Sequence, residues 1–139
     1  MSLAQWIDFC EVADARGALV AIEGESTIPF EIKRVYYLYG TKPDISRGFH
    51  AHRELVQVAV CVAGSCRMVL DDGALREEVN LHRPDEGLVI REMIWHEMLE
   101  FSSDCVLLVL ASAHYDEGDY VRDYGTFTLL TGRSKVAGK

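Results

Sequence analysis

The stretch RGFHAHRELVQVAVCVAGSCRMVLDDG, from Arg47 to Gly73, carries the pattern that decides the fold. It contains two apolar runs, LVQVAVCVAG and CRMVLDD, and the first has four valines, a β-branched type that strands favour. The residues Ala-Gly-Ser at 63–65 separate these runs, and Asp-Asp-Gly at 71–73 ends the second one, both sequences being typical of tight turns. This centre of the chain therefore predicts short β-strands joined by turns.

The same pattern extends to both ends of the chain. Further predicted strands are WIDFCEV and ALVAIEG on either side of the DARG turn, IKRVYYLYG after Pro29, LREEVNLH, GLVIREMIW and CVLLVLASAH. Strands at this spacing without alternating helices predict an all-β sandwich or barrel. A short C-terminal helix is predicted around YVRDYGTFTLL, although Gly125 interrupts the pattern. We expect one domain over residues 1–131 and a flexible tail over residues 132–139.

Composition excludes several classes of function. The chain has 139 residues, 49% of them hydrophobic, which suits one core, and a formal net charge of −8 argues against nucleic-acid binding. An anionic ligand must then be held by a few local cations. No apolar run reaches the roughly 18 residues that span a bilayer, and the N-terminus lacks the pattern of a secretion signal. These features favour a soluble, cytoplasmic protein that does not act at a membrane.

Four cysteines lie within apolar runs and form no CxxC pair: Cys10, Cys61, Cys66 and Cys105. Reduced cysteine in such a run behaves as a small hydrophobic residue. The spacing therefore disfavours a structural zinc site or a disulfide framework.

The pair His50 and His52 is the main candidate for chemistry. Residues i and i+2 project from the same face of a strand, so the two rings should lie side by side. Imidazole has an ordinary pKa of about 6.5, which suits it to acid and base catalysis near neutral pH. From spacing alone the pair could also bind a metal or simply pack within the sheet.

The spacing of this region resembles the cupin signature, in which an HxH pair, a glutamate five residues further on and a later histidine bind a metal inside a jelly-roll barrel. Here the pair is His50 and His52, and the later histidine is His96. In this chain the glutamate position holds Gln57. A neutral amide is a far weaker metal ligand than a carboxylate. The substitution therefore argues against the usual iron or manganese site, while three histidines alone leave zinc open.

Several segments in order resemble the sugar 3,4-ketoisomerases of the cupin superfamily, which act on dTDP-4-keto-6-deoxy-glucose. They are ARGALVAIE, PFEIKRVYYLYG, RGFHAHRELVQVAVCVAGSCRMVLDDG, WHEM and SSDCVLLVLASAHYDEGDYVRDY, and together they cover most of the chain. The resemblance implies a metal-free cupin jelly-roll homodimer that moves a carbonyl from carbon 4 to carbon 3 of the hexose. The product would serve the synthesis of 3-amino-dideoxysugars for surface polysaccharides, such as O-antigen, or for glycosylated metabolites.

By this resemblance His50 is the base that removes the carbon-3 proton, and His52 relays or returns a proton. On the predicted strand KRVYYLY, Arg34 and Tyr36 share one face, and we expect them to contact pyrophosphate and the enediolate oxygen. Five further residues are candidates for substrate binding: Arg16 and Arg47 for phosphate, Gln57 and His96 for the sugar or for orienting a histidine, and Trp95 for stacking on thymine or sugar. The acidic run at residues 116–119 is interpreted as a solvated turn before the last helix.

Other functions remain open at this stage. A metal-dependent cupin oxygenase or isomerase would need a tightly bound ion, and a non-catalytic sugar-nucleotide-binding protein would bind without turnover. An epimerase would share the deprotonation step. Among ketoisomerases, RGFHAH, WHEM and the YDE segment favour the galacto over the gluco product at carbon 4. Dimerisation is expected from the resemblance and from the apolar character of the N-terminal strands, and exchange of these strands between subunits is one route to it.

Overall fold

The two central apolar runs form two strands that belong to different sheets. In the computed structural model, which describes residues 2–132, strand β6 (Gln57–Ala63) lies in one sheet and β7 (Cys66–Asp71) in the other. Gly64 makes the turn with φ +67°, and a side chain there would collide with Ser102 and with the backbone of Cys105. The predicted turn is therefore a sheet-to-sheet connection that requires glycine.

Ten other strands and one helix complete the described part of the chain. They are β1 (Gln5–Asp8), β2 (Glu11–Asp14), β3 (Gly17–Val20), β4 (Arg34–Leu38), β5 (Arg47–His52), β8 (Arg76–Leu81), β9 (Glu86–Ile90), β10 (Trp95–Leu99), β11 (Val106–Ala111), β12 (Tyr120–Val121) and α1 (Tyr124–Thr131), with a 3₁₀ turn at Glu117–Asp119. The two main sheets have the orders β1-β9-β6-β11-β4 and β12-β5-β10-β7-β8, and β2 and β3 pair as a separate hairpin. All paired strands of these sheets are antiparallel.

The main core lies between the two five-stranded sheets. Its buried side chains come from both, for example Ala59 and Leu107 from one sheet and Met68 and Leu70 from the other. The outer face of the first sheet is covered by the segment between β3 and β4, which packs Ile28 against Val58, Val60 and neighbouring residues. The first sheet therefore buries apolar side chains on both of its faces.

Helix α1 covers the outer face of the second sheet. Asp123 caps it by accepting a hydrogen bond from the Thr126 backbone at 2.8 Å, and Gly132 ends it in the left-handed conformation with φ +65°. Phe127 is fully buried against Ala51 of β5 and Trp95 of β10. The helix thereby supports the strand that carries the two histidines.

The all-β class and the short C-terminal helix are confirmed, with three local differences. WIDFCEV is two strands, because the buried Phe9 interrupts it and its backbone donates to Asp85 at 2.8 Å. GLVIREMIW also contains two strands, β9 and the start of β10, divided by a turn where Met93 has φ +56°. The helix begins at Tyr124 rather than near residue 120, since residues 120–121 form β12.

Most of the predicted flexible tail, residues 133–139, lies outside the described residues, and Gly132 ends α1. The assignment of residues 1–131 to a single domain stays a prediction. Within residues 2–132, no helix is long and apolar enough to cross a membrane.

Phe127→Ala should lower the free energy of unfolding by about 3–5 kcal/mol, the usual cost of removing a fully buried aromatic ring. Leu129→Ala on the same helix is the matched control, because Leu129 is 81% exposed and the change should stay within about 0.5 kcal/mol. Urea unfolding of both variants measures the difference. Equal stabilities would contradict the packing of α1 on the second sheet.

Candidate active site

Strand β5 brings the two histidines into the barrel through an irregular start. Gly48 has φ +93° and Phe49 φ +63°, and the pairing of β5 with β10 shifts register beside His96. A side chain at Gly48 would come within 3.0 Å of the His96 carbonyl oxygen, so this close approach requires glycine. After the irregularity, His50 lies directly opposite His96.

Three imidazoles and a tyrosine form one cluster. The His50 ring centroid lies 5.0 Å from His52, 4.6 Å from His96 and 4.9 Å from Tyr120. The His52 and Tyr120 centroids are 4.4 Å apart. His52 and His96 are buried, whereas His50 is partly exposed. His50 is therefore the histidine of the cluster that reaches solvent most readily.

The environment favours the neutral form of all three histidines. Burial lowers the pKa of His50 below its ordinary value. Burial and the neighbouring His50 lower the pKa of His52 to about 4 and that of His96 to about 3. At neutral pH each ring can therefore accept a proton.

Asp119 fixes the orientation of His52. Its carboxylate lies 3.1 Å from His52 Nδ1 and also accepts hydrogen bonds from the backbone of Glu54 at 2.8 Å and Leu55 at 3.3 Å. Since an ionised carboxylate only accepts, the neutral ring must carry its proton on Nδ1 and leave the lone pair on Nε2. The neutral His96 ring also carries its proton on Nδ1, because that atom lies 3.3 Å from the carbonyl oxygen of Ile94, which can only accept a hydrogen bond.

A cavity of about 520 Å³ opens in front of His50. Three arginines from different strands or loops line it, namely Arg34, Arg47 and Arg122, together with Tyr36, Phe49, Met98 and Tyr120. Arg122 is neutralised in part by Glu117, with contacts of 2.8 and 3.0 Å. The Nε atom of Arg34 is buried and has no hydrogen-bond partner within residues 2–132. The cavity therefore combines a neutral base with local positive charge.

Tyr36 lies on the cavity wall and donates a hydrogen bond of 2.7 Å to Gln57 Oε1. Burial and the nearby Tyr120 raise the pKa of Tyr36 to about 12, so its hydroxyl stays protonated at neutral pH. The Arg34 guanidinium carbon lies 5.3 Å from the Tyr36 ring centroid. Tyr36 can thus serve as a hydrogen-bond donor but not as a base.

The structure separates the predicted site residues into three groups. His50, Arg34, Tyr36 and Arg47 line the cavity. Buried behind its wall lie His52, Gln57 and His96. Trp95 and Arg16 lie elsewhere.

Trp95 faces the outer side of the second sheet, where its ring packs on Tyr124 and Phe127 and its Nε1 donates to Glu97. Arg16 lies at the turn of the β2–β3 hairpin, 90% exposed and paired with Asp14 at 2.6 Å. Neither residue lines the cavity of this chain. The predicted roles of these two residues in substrate binding therefore stay predictions.

Sequence reasoning missed three residues of the site: Asp119, Tyr120 and Arg122. The interpretation of residues 116–119 as a solvated turn fits Asp116, which caps the 3₁₀ turn, but is wrong for Asp119, which contacts His52. All three lie in or beside β12, which pairs with β5. The one available signal was the Tyr-Val pair at residues 120–121, an apolar dipeptide after the acidic run.

Protein stability should fall as the pH is lowered from 6.5 to about 3. The unfolded chain binds a proton at each histidine with the ordinary pKa, whereas the folded chain holds His52 and His96 neutral down to pKa values of about 4 and 3. Stability is therefore full above pH 6.5 and is lost as pH falls, by on the order of a few kcal/mol. Urea unfolding across this range measures the slope.

The exposed residues His82 and His114 provide controls, since His82→Gln and His114→Gln should leave that slope unchanged. His52→Asn and His96→Gln should each reduce it. A slope that is the same in all four variants would contradict the buried neutral state of the two rings.

Known proteins of one family are similar to this chain over most of its length. The family model described as "FdtA: WxcM-like, C-terminal" matches residues 2–132. The chain is 55% identical over 121 residues to the TDP-4-oxo-6-deoxy-alpha-D-glucose-3,4-oxoisomerase of Aneurinibacillus thermoaerophilus, a match that covers 87% of each chain.

Solved structures give the same result. A 3,4-ketoisomerase from Helicobacter canadensis is 46% identical with a TM-score of 0.91, covering 95% of this chain and 99% of the other. A mutant of the 3,4-ketoisomerase QdtA from Thermoanaerobacterium thermosaccharolyticum, solved with TDP-4-keto-6-deoxyglucose, is 41% identical with a TM-score of 0.93, covering 96% of each chain. The predicted cupin-type fold and the resemblance to sugar ketoisomerases are thereby confirmed. The chain belongs to the FdtA family of WxcM-like proteins, whose relatives described here are 3,4-ketoisomerases of TDP-linked sugars.

Proposed function

We propose that this protein is an isomerase that converts dTDP-4-keto-6-deoxy-glucose into a dTDP-3-keto-6-deoxy-hexose. The observation that carries the proposal is the position of His50, a neutral imidazole on the wall of a cavity that three arginines also line. The family membership and the substrate named for the relatives support the same reaction. The reaction needs no redox cofactor, because the substrate already contains the ketone.

His50 acts as the base in this proposal. Removal of the carbon-3 proton next to the carbon-4 ketone gives an enediolate. Transfer of the hydroxyl proton from the carbon-3 oxygen to the carbon-4 oxygen, together with protonation at carbon 4, then gives the 3-ketone with a hydroxyl at carbon 4. A neutral ring is required for the first step, and burial of His50 favours that form. The backbone of Gly48 opposes the effect of burial on the pKa of His50, and Nδ1 of this ring makes no hydrogen bond to a side chain within residues 2–132.

His52 and Asp119 form the second proton carrier. The bond from His52 Nδ1 to Asp119 leaves Nε2 as the reactive nitrogen, and the ring centroids of His52 and His50 are 5.0 Å apart. His52 does not line the cavity, so we assign it the relay of a proton rather than direct contact with carbon. Asp119 stabilises the imidazolium that forms during the relay, as its negative charge already raises the pKa of His52 against the effect of burial.

Tyr36 and Arg34 stabilise the enediolate and the nucleotide. The protonated Tyr36 hydroxyl is presented at the cavity wall by Gln57, and a substrate oxyanion that replaces Gln57 as acceptor would receive a short, charge-assisted hydrogen bond. The unpartnered Arg34 Nε offers a donor that a ligand can satisfy. Arg47 and Arg122 add positive charge for the diphosphate in a chain whose net charge is −8.

We also propose a homodimer in which the N-terminal hairpin contacts a second copy. The β2–β3 hairpin forms its own two-stranded sheet, and Val12 and Leu19 are 64% and 60% exposed. A lone two-stranded hairpin is marginally stable in water, so an apolar partner surface would stabilise it. Such a contact would also give Arg16 at the hairpin turn a route to the partner's cavity.

Two finer assignments complete the proposal. The galacto product is favoured by the RGFHAH, WHEM and YDE segments, and the face of carbon 4 that receives the proton decides it. Cytoplasmic location is supported by the absence of disulfides among the described cysteines, which suits a reducing compartment.

Incubation with dTDP-4-keto-6-deoxy-glucose should yield the 3-keto product by NMR, with the carbon-4 configuration read from its proton couplings. Turnover should survive dialysis against a strong chelator, because Gln57 stands at the position of the glutamate ligand in metal cupins. Loss of activity that only iron, manganese or zinc restores would favour a metal-dependent cupin. Binding of dTDP without turnover would favour a non-catalytic binding protein.

His50→Asn should lower turnover by on the order of 10²-fold or more while dTDP binding changes little, because asparagine cannot act as a base. His52→Asn should also slow turnover but still allow exchange of the carbon-3 hydrogen with solvent. Reactions in deuterated water separate the two roles, since the wild type should place deuterium at carbon 4 of the product unless the abstracted proton returns without mixing.

Arg53→Gln is a matched control for these variants, since Arg53 is an exposed polar residue next to His52 and outside the cavity lining. Exchange of the carbon-3 hydrogen by His50→Asn at the wild-type rate would place the base elsewhere.

Sedimentation at micromolar concentration should give a dimer. Val12→Asp together with Leu19→Asp should shift the equilibrium towards monomer, because two buried charges would disfavour an apolar contact. Leu129→Asp, at another exposed apolar position, should leave the dimer intact. A single species of 15.6 kDa for the wild type would rule out the dimer.

A further inference from the structure

A group of three buried cysteines lies outside the proposed active site. Cys61 is the last buried residue of β6, Cys66 is the first residue of β7, and Cys105 directly precedes β11. Their sulfur atoms all lie within 4.8 Å of one another, and those of Cys61 and Cys105 are 3.8 Å apart. The Gly64 turn brings the first two together, since it reverses the chain between them.

We propose that Cys61, Cys66 and Cys105 form a binding site for a thiophilic d¹⁰ cation, with Zn²⁺ as the ion the geometry fits. Two thiolates bound to one tetrahedral zinc at about 2.3 Å lie about 3.8 Å apart, which matches the separation of the Cys61 and Cys105 sulfurs. Soft thiolate donors select zinc or Cu⁺ over magnesium, calcium or manganese. Three thiolates leave the fourth zinc position for a solvent ligand.

A cavity adjoins the cluster at Cys66. It has a volume of about 330 Å³ and is lined by Ser65, Cys66, Arg67, Asn80, His82 and Glu100. The three cysteines are themselves buried members of the main core, so an ion reaches their sulfur atoms when the packing beside Cys66 opens locally.

Protonation of the thiols is compatible with binding. Hydrogen bonding from the Cys66 thiol lowers the pKa of Cys61 to about 7, whereas the Cys61 sulfur also lies 3.1 and 3.3 Å from the carbonyl oxygens of Ala63 and Gly64, to which a thiol donates. Burial raises the pKa of Cys105 to about 12, and hydrogen bonding to Cys61 together with burial raises that of Cys66. The cation must displace the protons of these two thiols, and its affinity should therefore increase with pH.

The site is separate from the catalytic chemistry. Gln57, which contacts the cavity residue Tyr36, lies four residues before Cys61 on β6, or roughly 13 Å at the rise of an extended strand. A cation here would link the end of β6, the start of β7 and the turn before β11. The inference concerns stability and does not depend on the proposed isomerase activity.

Cobalt titration of the reduced, untagged full chain tests the proposal, because thiolate-to-cobalt charge transfer absorbs in the near ultraviolet and histidine-bound cobalt lacks this band. We expect the band at one Co²⁺ per chain, its loss when Zn²⁺ is added, and a Zn²⁺-dependent increase in the melting temperature. Cys66→Ser should weaken binding by at least about 100-fold, since even the loss of an outer-shell partner costs 10- to 100-fold. The control Cys10→Ser removes the exposed cysteine and should bind as the wild type does.

A second measurement covers the case in which Cys66→Ser fails to fold. Zn²⁺ should protect Cys61, Cys66 and Cys105 of the wild type from alkylation while Cys10 still reacts, as read by peptide mass spectrometry. Absence of the charge-transfer band, or alkylation of all four thiols at the same rates with and without Zn²⁺, would overturn the proposal and leave the cluster as apolar packing.

Discussion

The proposed active site depends on the pairing of strand β5 between β10 and β12. The pairing with β10 places His50 opposite His96, and the pairing with β12 places His52 opposite Tyr120. Between the two histidines, Ala51 points to the other face and is fully buried against the packing of α1. Backbone hydrogen bonds on both edges and apolar burial behind the strand thus determine where both rings lie.

Burial of this strand also determines the charge of the site. A chain with a net charge of −8 would attract protons to exposed histidines, but desolvation keeps the three buried or partly buried rings neutral. Asp119 opposes that effect at His52, which we propose as the relay. Arg47 and Arg122 are exposed at the cavity, where water limits the cost of their charge, whereas Arg34 has a buried Nε.

The sequence predicted those parts of the site that follow from local periodicity. The spacing of His50 and His52 and the shared face of Arg34 and Tyr36 depend only on the two-residue repeat of a strand. The same repeat also shows that the adjacent residues Trp95 and His96 cannot both face the cavity. The contact between His52 and Asp119 is different, because 67 residues separate the two and a two-residue strand brings them together. No local pattern encodes such a pairing.

The two ends of β6 differ in how closely the surrounding core is packed. Near Gln57 the core is open to a cavity and contains polar side chains whose hydrogen bonds a substrate must replace, which reduces local stability. Near Cys61 the same core is closed by Phe101, Leu107 and the other thiols, all buried. Rigid packing at the closed end limits movement of β6 and of its neighbour β11, which pairs with β4, the strand that carries Tyr36. A cation at the thiol cluster would strengthen the barrel where no substrate has to enter, and so could stabilise the fold without competing with catalysis.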